Sequence, residues 1–165
     1  MFSIFMSKLF PYTRILAYEP IPRTFGVLRE NIKLNGCENI EPFQLGVGRP
    51  GVRWALFNVS KDFSGGSTSL CRFNEQDQYQ VKAPVTSLDF IFEGFSRCRL
   101  MKMDIEGMEY ETLYFTNVLS RVDYMTMEVH INYMLEYKGR RADGLITWVS
   151  GQTRLIHVNV CKMTE

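Results

Sequence analysis

The sequence has no apolar run long enough to cross a bilayer, which takes about 20 residues. It also has no excess of one charge: 19 Lys and Arg stand against 18 Asp and Glu, a formal net charge of +1. No run of Lys and Arg marks a stripe for nucleic acid, and that class of partner is not expected. The four cysteines, Cys37, Cys71, Cys98 and Cys161, are widely spaced. They form no CxxC pair and no zinc pattern with the two histidines, so the thiols are expected to be reduced and mostly buried, and no metal is assigned. The N-terminus, MFSIFMSKLF, is apolar but short, with Lys8 inside the run and no small-residue cleavage site after it. A signal peptide is not expected, and a cytoplasmic location is favoured. Without a secretory leader the single sequon, Asn58-Val59-Ser60, carries little weight.

What is present is the composition of one ordinary globular domain. Hydrophobic residues make up 45% of the chain and charged residues 22%, enough for a real core at this length. With no internal repeat or linker, residues 1–165 are expected to form a single domain. Residues 2–10 suit a short helix stopped by Pro11. The run RILAYEP, Arg14 to Pro20, predicts a buried strand at 14–18 with Glu19 at its carboxyl tip. Pro22 fits the first turn of the next helix, where a missing N–H has no partner to lose. Phe25, Leu28 and Ile32 then recur at helical spacing, and Asn35-Gly36 supplies a stop.

Further strands are predicted at 40–47, 51–59, 79–85, 99–104, 122–129 and 153–160. Between them come a short helix capped by Thr86 or Ser87, a helix from about 108, and one over 142–149. Met108, Thr112, Phe115 and Leu119 should share one face of the second. The alternation predicts an α/β fold with a parallel or mostly parallel sheet. Residues 60–79, with Gly65-Gly66-Ser67-Thr68-Ser69 at their centre, and the connector 131–141 read as loops that shape a ligand pocket.

Gly46-Val47-Gly48-Arg49-Pro50-Gly51 matches GxGxxG, the dinucleotide fingerprint. That motif needs a helix opening at its second half, so that backbone N–H groups point at phosphate. Here Pro50-Gly51 leads into β-branched and aromatic residues, and no acid follows about 20 residues on. A turn between two strands is the better reading.

The most informative stretch is Lys102 to Leu113, KMDIEGMEYETL. An apolar run ends in Asp104, Gly107 follows, and a Glu-rich amphipathic run begins. This is a strand giving way to a helix, with Asp104, Glu106 and Glu109 clustered at the strand's carboxyl end. Three predicted strands finish in such groups: Glu19, Asp104, and His130 with Glu128 just before it. In open α/β sheets these ends bind ligands. A carboxylate at an early tip can accept hydrogen bonds from two ribose hydroxyls. Each residue alone has a plainer role, as a surface acid, a turn cap or a packed histidine. Together they predict a site.

The blocks AYEPIPRTFGVLRENIKLNG, VTSLDFIF, LMKMDIEGMEYETL and MEVH, in this order over most of residues 15–130, resemble an FkbM-type methyltransferase. The Lys-x-Asp-x-Glu-Gly-x-Glu core carries most of the specificity. The resemblance implies a Rossmann-like class I methyltransferase fold, S-adenosylmethionine (SAM) as cofactor, and methylation of a hydroxyl on a sugar or other small molecule. It implies that Glu19 holds the ribose of SAM and that Gly46 lies near the adenine. Asp104 and Glu106 would sit at the methyl-transfer site, Asp104 touching the cofactor as well, with His130 facing the acceptor.

That family begins with a strand and a Gly-rich turn around the methionine part of SAM. Only thirteen residues precede Arg14 here, none of them glycine. The domain is therefore expected to be incomplete at its N-terminus, with weak or absent SAM binding by this chain alone. Two rival expectations are a non-catalytic remnant of the fold and a metal-dependent hydrolase with Asp104, Glu106 and Glu109 on a hard cation. No second Asp pair or phosphate loop favours the latter.

Overall fold

Strands and helices form close to where the apolar periodicity places them. The computed structural model describes residues 2–61, 68–69, 78–131, 139 and 141–162. They fall into two units, Met1–Gly46 and Val47–Glu165.

The first unit contains α1 (Phe2–Leu9), β1 (Ile15–Tyr18), α2 (Pro22–Leu34) and β2 (Ile40–Phe43). Pro22 stands in the first turn of α2. The helix carries the chain back, so β1 and β2 pair in parallel, with Ile15 opposite Ile40 and Tyr18 opposite Phe43. Pro42, which cannot donate to a ladder, is tolerated because both strands of this two-stranded sheet are edges. Ile4, Cys37 and Ile40 are buried, with Ile15, Ala17 and Ile32 packed on them. The Asn39 side chain ties down the α1–β1 link, donating to the carbonyls of Phe10 (3.0 Å) and Thr13 (2.7 Å).

The second unit opens inside β3 (Gly46–Gly48) and continues through β4 (Trp54–Ser60), β5 (Thr68–Ser69) and β6 (Gln78–Ser87). These strands lie in the order β3-β6-β4-β5, with β4 antiparallel to both β5 and β6. Ser87 caps α3 (Leu88–Ile91), its hydroxyl accepting from the Phe90 N–H at 3.2 Å. Then come β7 (Cys98–Met103), α4 (Glu109–Leu113), β8 (Val122–Ile131), α5 (Ala142–Ser150) and β9 (Arg154–Lys162). β7, β8 and β9 form a wholly parallel sheet with β8 in the middle. Met125, Met127 and Val129 of β8 are fully buried, as are Leu113, Leu145 and Val149. Burial alternates along β8, with Met125, Met127 and Val129 on the covered face and Thr126 and Glu128 between them only partly buried.

The architecture is α/β with mostly parallel pairing, as the pattern predicts, and it departs from expectation in three places. The stretch 40–47 is two strands, β2 and β3, not one. β4 and β6 pair antiparallel because the polar, Gly-Ser-rich residues between them have no helical period to build a parallel crossover. The helix after Lys102–Met103 is short: α4 ends at Leu113. The Asp89 carboxylate takes the Thr116 hydroxyl at 2.6 Å and the Asn117 N–H at 3.2 Å, which draws the chain out of helical register. Phe115 therefore lies at the surface under the Arg49 guanidinium, 3.8 Å from its ring centre, instead of on a buried face. Most of the expected loops at 60–79 and 131–141, and Cys71, lie outside the described residues. Asn58 of the sequon is a buried β4 residue whose side chain accepts from Gln80 at 3.2 Å.

The glycines of the GxGxxG match have structural work. Gly51 adopts φ +86° in the β3–β4 turn. A Cβ on Gly48 would stand 2.7 Å from Met108 Cε and 2.9 Å from Val85 Cγ1. The methionine end can move, but the branched valine cannot. Gly48→Ala is expected to cost about 1–3 kcal/mol, read as a lower urea midpoint with an unchanged slope. No helix follows Gly51 to hold a phosphate. Among the described residues no helix is long and apolar enough to cross a membrane.

Candidate active site

The site of the second unit starts from the register of β7 and β8, where Met103 lies opposite Met127. Asp104 follows the last residue of β7, while β8 runs on through Glu128 and His130. Residues two apart on a strand share a face, so Glu128 and His130 point the same way, as do Lys102 and Asp104.

Past Asp104 the chain reverses through two left-handed residues, Glu106 at φ +53° and Gly107 at φ +101°. Gly107 occupies such a conformation freely, whereas Glu106 is strained by roughly 1–3 kcal/mol. Glu109 holds the turn in place. Its side chain is fully buried, and its carboxylate accepts the Gly107 N–H at 3.0 and 3.2 Å and the Ile105 N–H at 3.4 Å. The same carboxylate lies 2.8 Å from His130 Nδ1. A carboxylate oxygen at this distance is an acceptor for Nδ1–H, so in the neutral imidazole the proton belongs on Nδ1 and Nε2 is the open ring nitrogen. Nε2 lies 3.5 Å from Glu106 Oε2. Lys102 Nζ is 2.8 Å from Asp104 Oδ2 and 3.8 Å from Glu128 Oε1. The Cys161 thiol, from the end of β9, donates to Glu128 Oε2 at 3.6 Å.

Burial pushes the Glu106 carboxyl above its ordinary range. His130 opposes that shift, and Asp104, Glu109 and Glu128 add to it. For His130, burial alone would lower the imidazole. The Glu109 hydrogen bond and the charges of Glu109, Glu106 and Asp104 outweigh it, and the net shift is upward. Burial and the nearby Glu128 also raise the Cys161 thiol. That leaves a neutral S–H rather than a nucleophilic thiolate.

Of the residues proposed from sequence, Asp104, Glu106 and His130 come together, one ligand-type atom from each lying within 4.8 Å of the others. Glu19 and Gly46 belong to the first unit. Glu19 follows β1, its main-chain N–H bonded to the Phe43 carbonyl at 3.0 Å. Its half-buried carboxylate accepts the Ile21 N–H at 2.8 Å, and burial raises it above the usual carboxyl range, with that bond pulling the other way. Beside it the Tyr18 and Phe43 rings stack with centres 5.0 Å apart and planes 14° from parallel. Gly46 is buried at the start of β3.

The role of Glu109 was not legible in the sequence. A glutamate in a first helical turn reads as a dipole partner, and as a ligand in the metal-hydrolase reading. Its carboxylate is instead taken up by backbone and histidine. In the sequence Lys102 stands out only as the first residue of the family core and Glu128 only as the acid before His130, and neither is given a role there.

A family model for the FkbM methyltransferase domain matches residues 2–149. The chain belongs to the FkbM methyltransferase family. Its Lys102–Glu109 core forms the tight turn just described, and its MEVH block is the carboxyl half of β8. The chain is 30% identical over 132 residues to Methyltransferase 1 of Beauveria bassiana (strain ARSEF 2860), an alignment covering 68% of this chain and 53% of that protein. It is 26% identical over 143 residues to Methyltransferase sdnD of Sordaria araneosa, covering 68% and 55% respectively. The chain thus spans about half the length of these curated relatives. No solved structure matches it.

Proposed function

We propose that this FkbM site transfers a methyl group from SAM to a hydroxyl on a sugar or other small molecule. The observation that carries the reading is the convergence of Asp104, Glu106 and His130 at the carboxyl ends of two neighbouring parallel strands, within the family's core motif. In the first unit, the chemistry around Glu19 suits the adenosine part of SAM. A half-buried carboxylate fits a ribose diol, and the Tyr18–Phe43 stack beside it offers a flat apolar surface for a planar base. Glu19 would hold the ribose, Gly46 would lie near the adenine, and Asp104 would touch the cofactor's reacting end. When bound, SAM supplies a methyl group on a sulfonium, ready for in-line displacement.

The chain's own residues then have two tasks. One is to hold the acceptor in line, a proximity effect, and Glu106 orients it. The other is to take the proton that a hydroxyl must lose, a role for Asp104 or His130. The test is transfer of label from methyl-labelled SAM to hydroxylated acceptors by the intact protein. Label that never leaves SAM for any hydroxyl would remove the reading. For the cofactor, Glu19→Ala in the intact protein is expected to weaken SAM binding at least ~10-fold in calorimetry, because a ribose diol loses about one charge-assisted pair of bonds. Unchanged affinity would take Glu19 out of the cofactor site.

A further inference from the structure

We propose that Asp104, Glu106 and His130 form a binding site for a first-row divalent cation, with Glu109 as the buried group that orients the histidine ligand. The inference rests on the methyl-transfer reading only for its use: such a cation would bind the acceptor's hydroxyl oxygen.

Three observations support it. The first is the donor set. Two carboxylates and one imidazole nitrogen lie within 4.8 Å of one another. Ligand atoms around one such cation stand roughly 3–4.3 Å apart, given bonds of about 2.0–2.2 Å, so a small side-chain adjustment closes the site. The second is His130 itself. It is 6% exposed, and its Nε2 makes no hydrogen bond among the described residues while facing Glu106. Its Nδ1–H is held at 2.8 Å by a fully buried carboxylate. A histidine ligand commonly donates its second ring N–H to a carboxylate, which fixes the tautomer and raises the basicity of the nitrogen that binds metal.

The third is charge. Asp104, Glu106, Glu109 and Glu128 gather around Lys102 and His130, so carboxylates outnumber cationic groups two to one even with the imidazole protonated. Lys102 pairs with Asp104 but also reaches Glu128 at 3.8 Å, so it keeps a partner when Asp104 turns to a cation. The mixed nitrogen and oxygen set suits Mn²⁺ or Zn²⁺ better than Mg²⁺, which prefers oxygen ligands alone. The sequence reading of a hard-cation site gave the third position to Glu109, whose oxygens are already engaged.

The test is titration of the metal-stripped chain with Mn²⁺, followed by the electron paramagnetic resonance signal of free Mn²⁺. One bound ion per chain is expected. Glu106→Gln and His130→Gln should each weaken binding at least ~10-fold, and Glu109→Gln, which leaves every ligand in place, by about 10–100-fold. No stoichiometric binding, or binding that Glu106→Gln and His130→Gln leave unchanged, overturns the site. Circular dichroism of each variant separates loss of a ligand from loss of fold. Chelation of the intact enzyme tells the two proposals apart. Methyl transfer that continues at full rate after chelation defeats the cation and keeps the proposed function. Stoichiometric Mn²⁺ binding without transfer to any hydroxyl keeps the cation site and defeats that function.

Discussion

Glu109→Ala is expected to lower folding stability by about 3–5 kcal/mol, the cost of breaking a buried charged network by removing one member. Alanine leaves the N–H groups of Gly107 and Ile105 and the Nδ1–H of His130 without their acceptor, and buried donors left unpaired carry their full desolvation cost. Two of these donors lie in the turn that strains Glu106 at φ +53°, so the turn loses the contacts that impose its shape. Native proteins are stable by only about 5–15 kcal/mol, so the variant should lose a large share of its stability. Glu109→Gln keeps one carbonyl acceptor and should lose less, about 1–3 kcal/mol. Urea unfolding at constant slope measures both. A loss below ~1 kcal/mol for the alanine variant would mean that the carboxylate does not hold this turn.

Asp104→Asn should have the opposite signature. In the intact protein it is expected to cut methyl transfer by about 10²–10⁴-fold, the usual contribution of a positioned base, while the melting temperature stays close to that of the parent. Asp104 is exposed, and an exposed ion pair such as that with Lys102 contributes little to stability. The amide keeps the shape but takes no proton. Full turnover with the amide in place would remove Asp104 from the reaction.

The contrast between these two acids shows what the sequence discloses. Strand ends and helix starts were legible because apolar periodicity is local: Glu19, Asp104 and His130 were placed at strand tips from the chain alone, and they stand there. Ser87 was legible as a cap for the same reason. Burial was harder to read, because it depends on partners distant in sequence. Nothing in EGMEYETL says that Glu109 is fully buried and Glu106 is not, since the deciding partner, His130, lies 21 residues on. The end of α4 was missed likewise, because the group that draws the chain away, Asp89, comes 27 residues before Thr116. The fold of the 40–47 stretch and the antiparallel β4–β6 pair depended on pairing choices that strand periodicity does not encode.

The bond between His130 and Glu109 also bears on the order in which the molecule assembles. One partner opens α4 just after the β7 turn and the other lies near the end of β8, and they meet only when β7 and β8 lie side by side. A peptide spanning Lys102–Leu113 would contain the whole family core, yet it would lack the histidine that engages the buried carboxylate. The reactive constellation is thus a late product of folding: closing the crossover must come first, and its entropic cost precedes any reward from the site. Substitutions there should mostly hasten unfolding and leave the refolding rate nearly untouched.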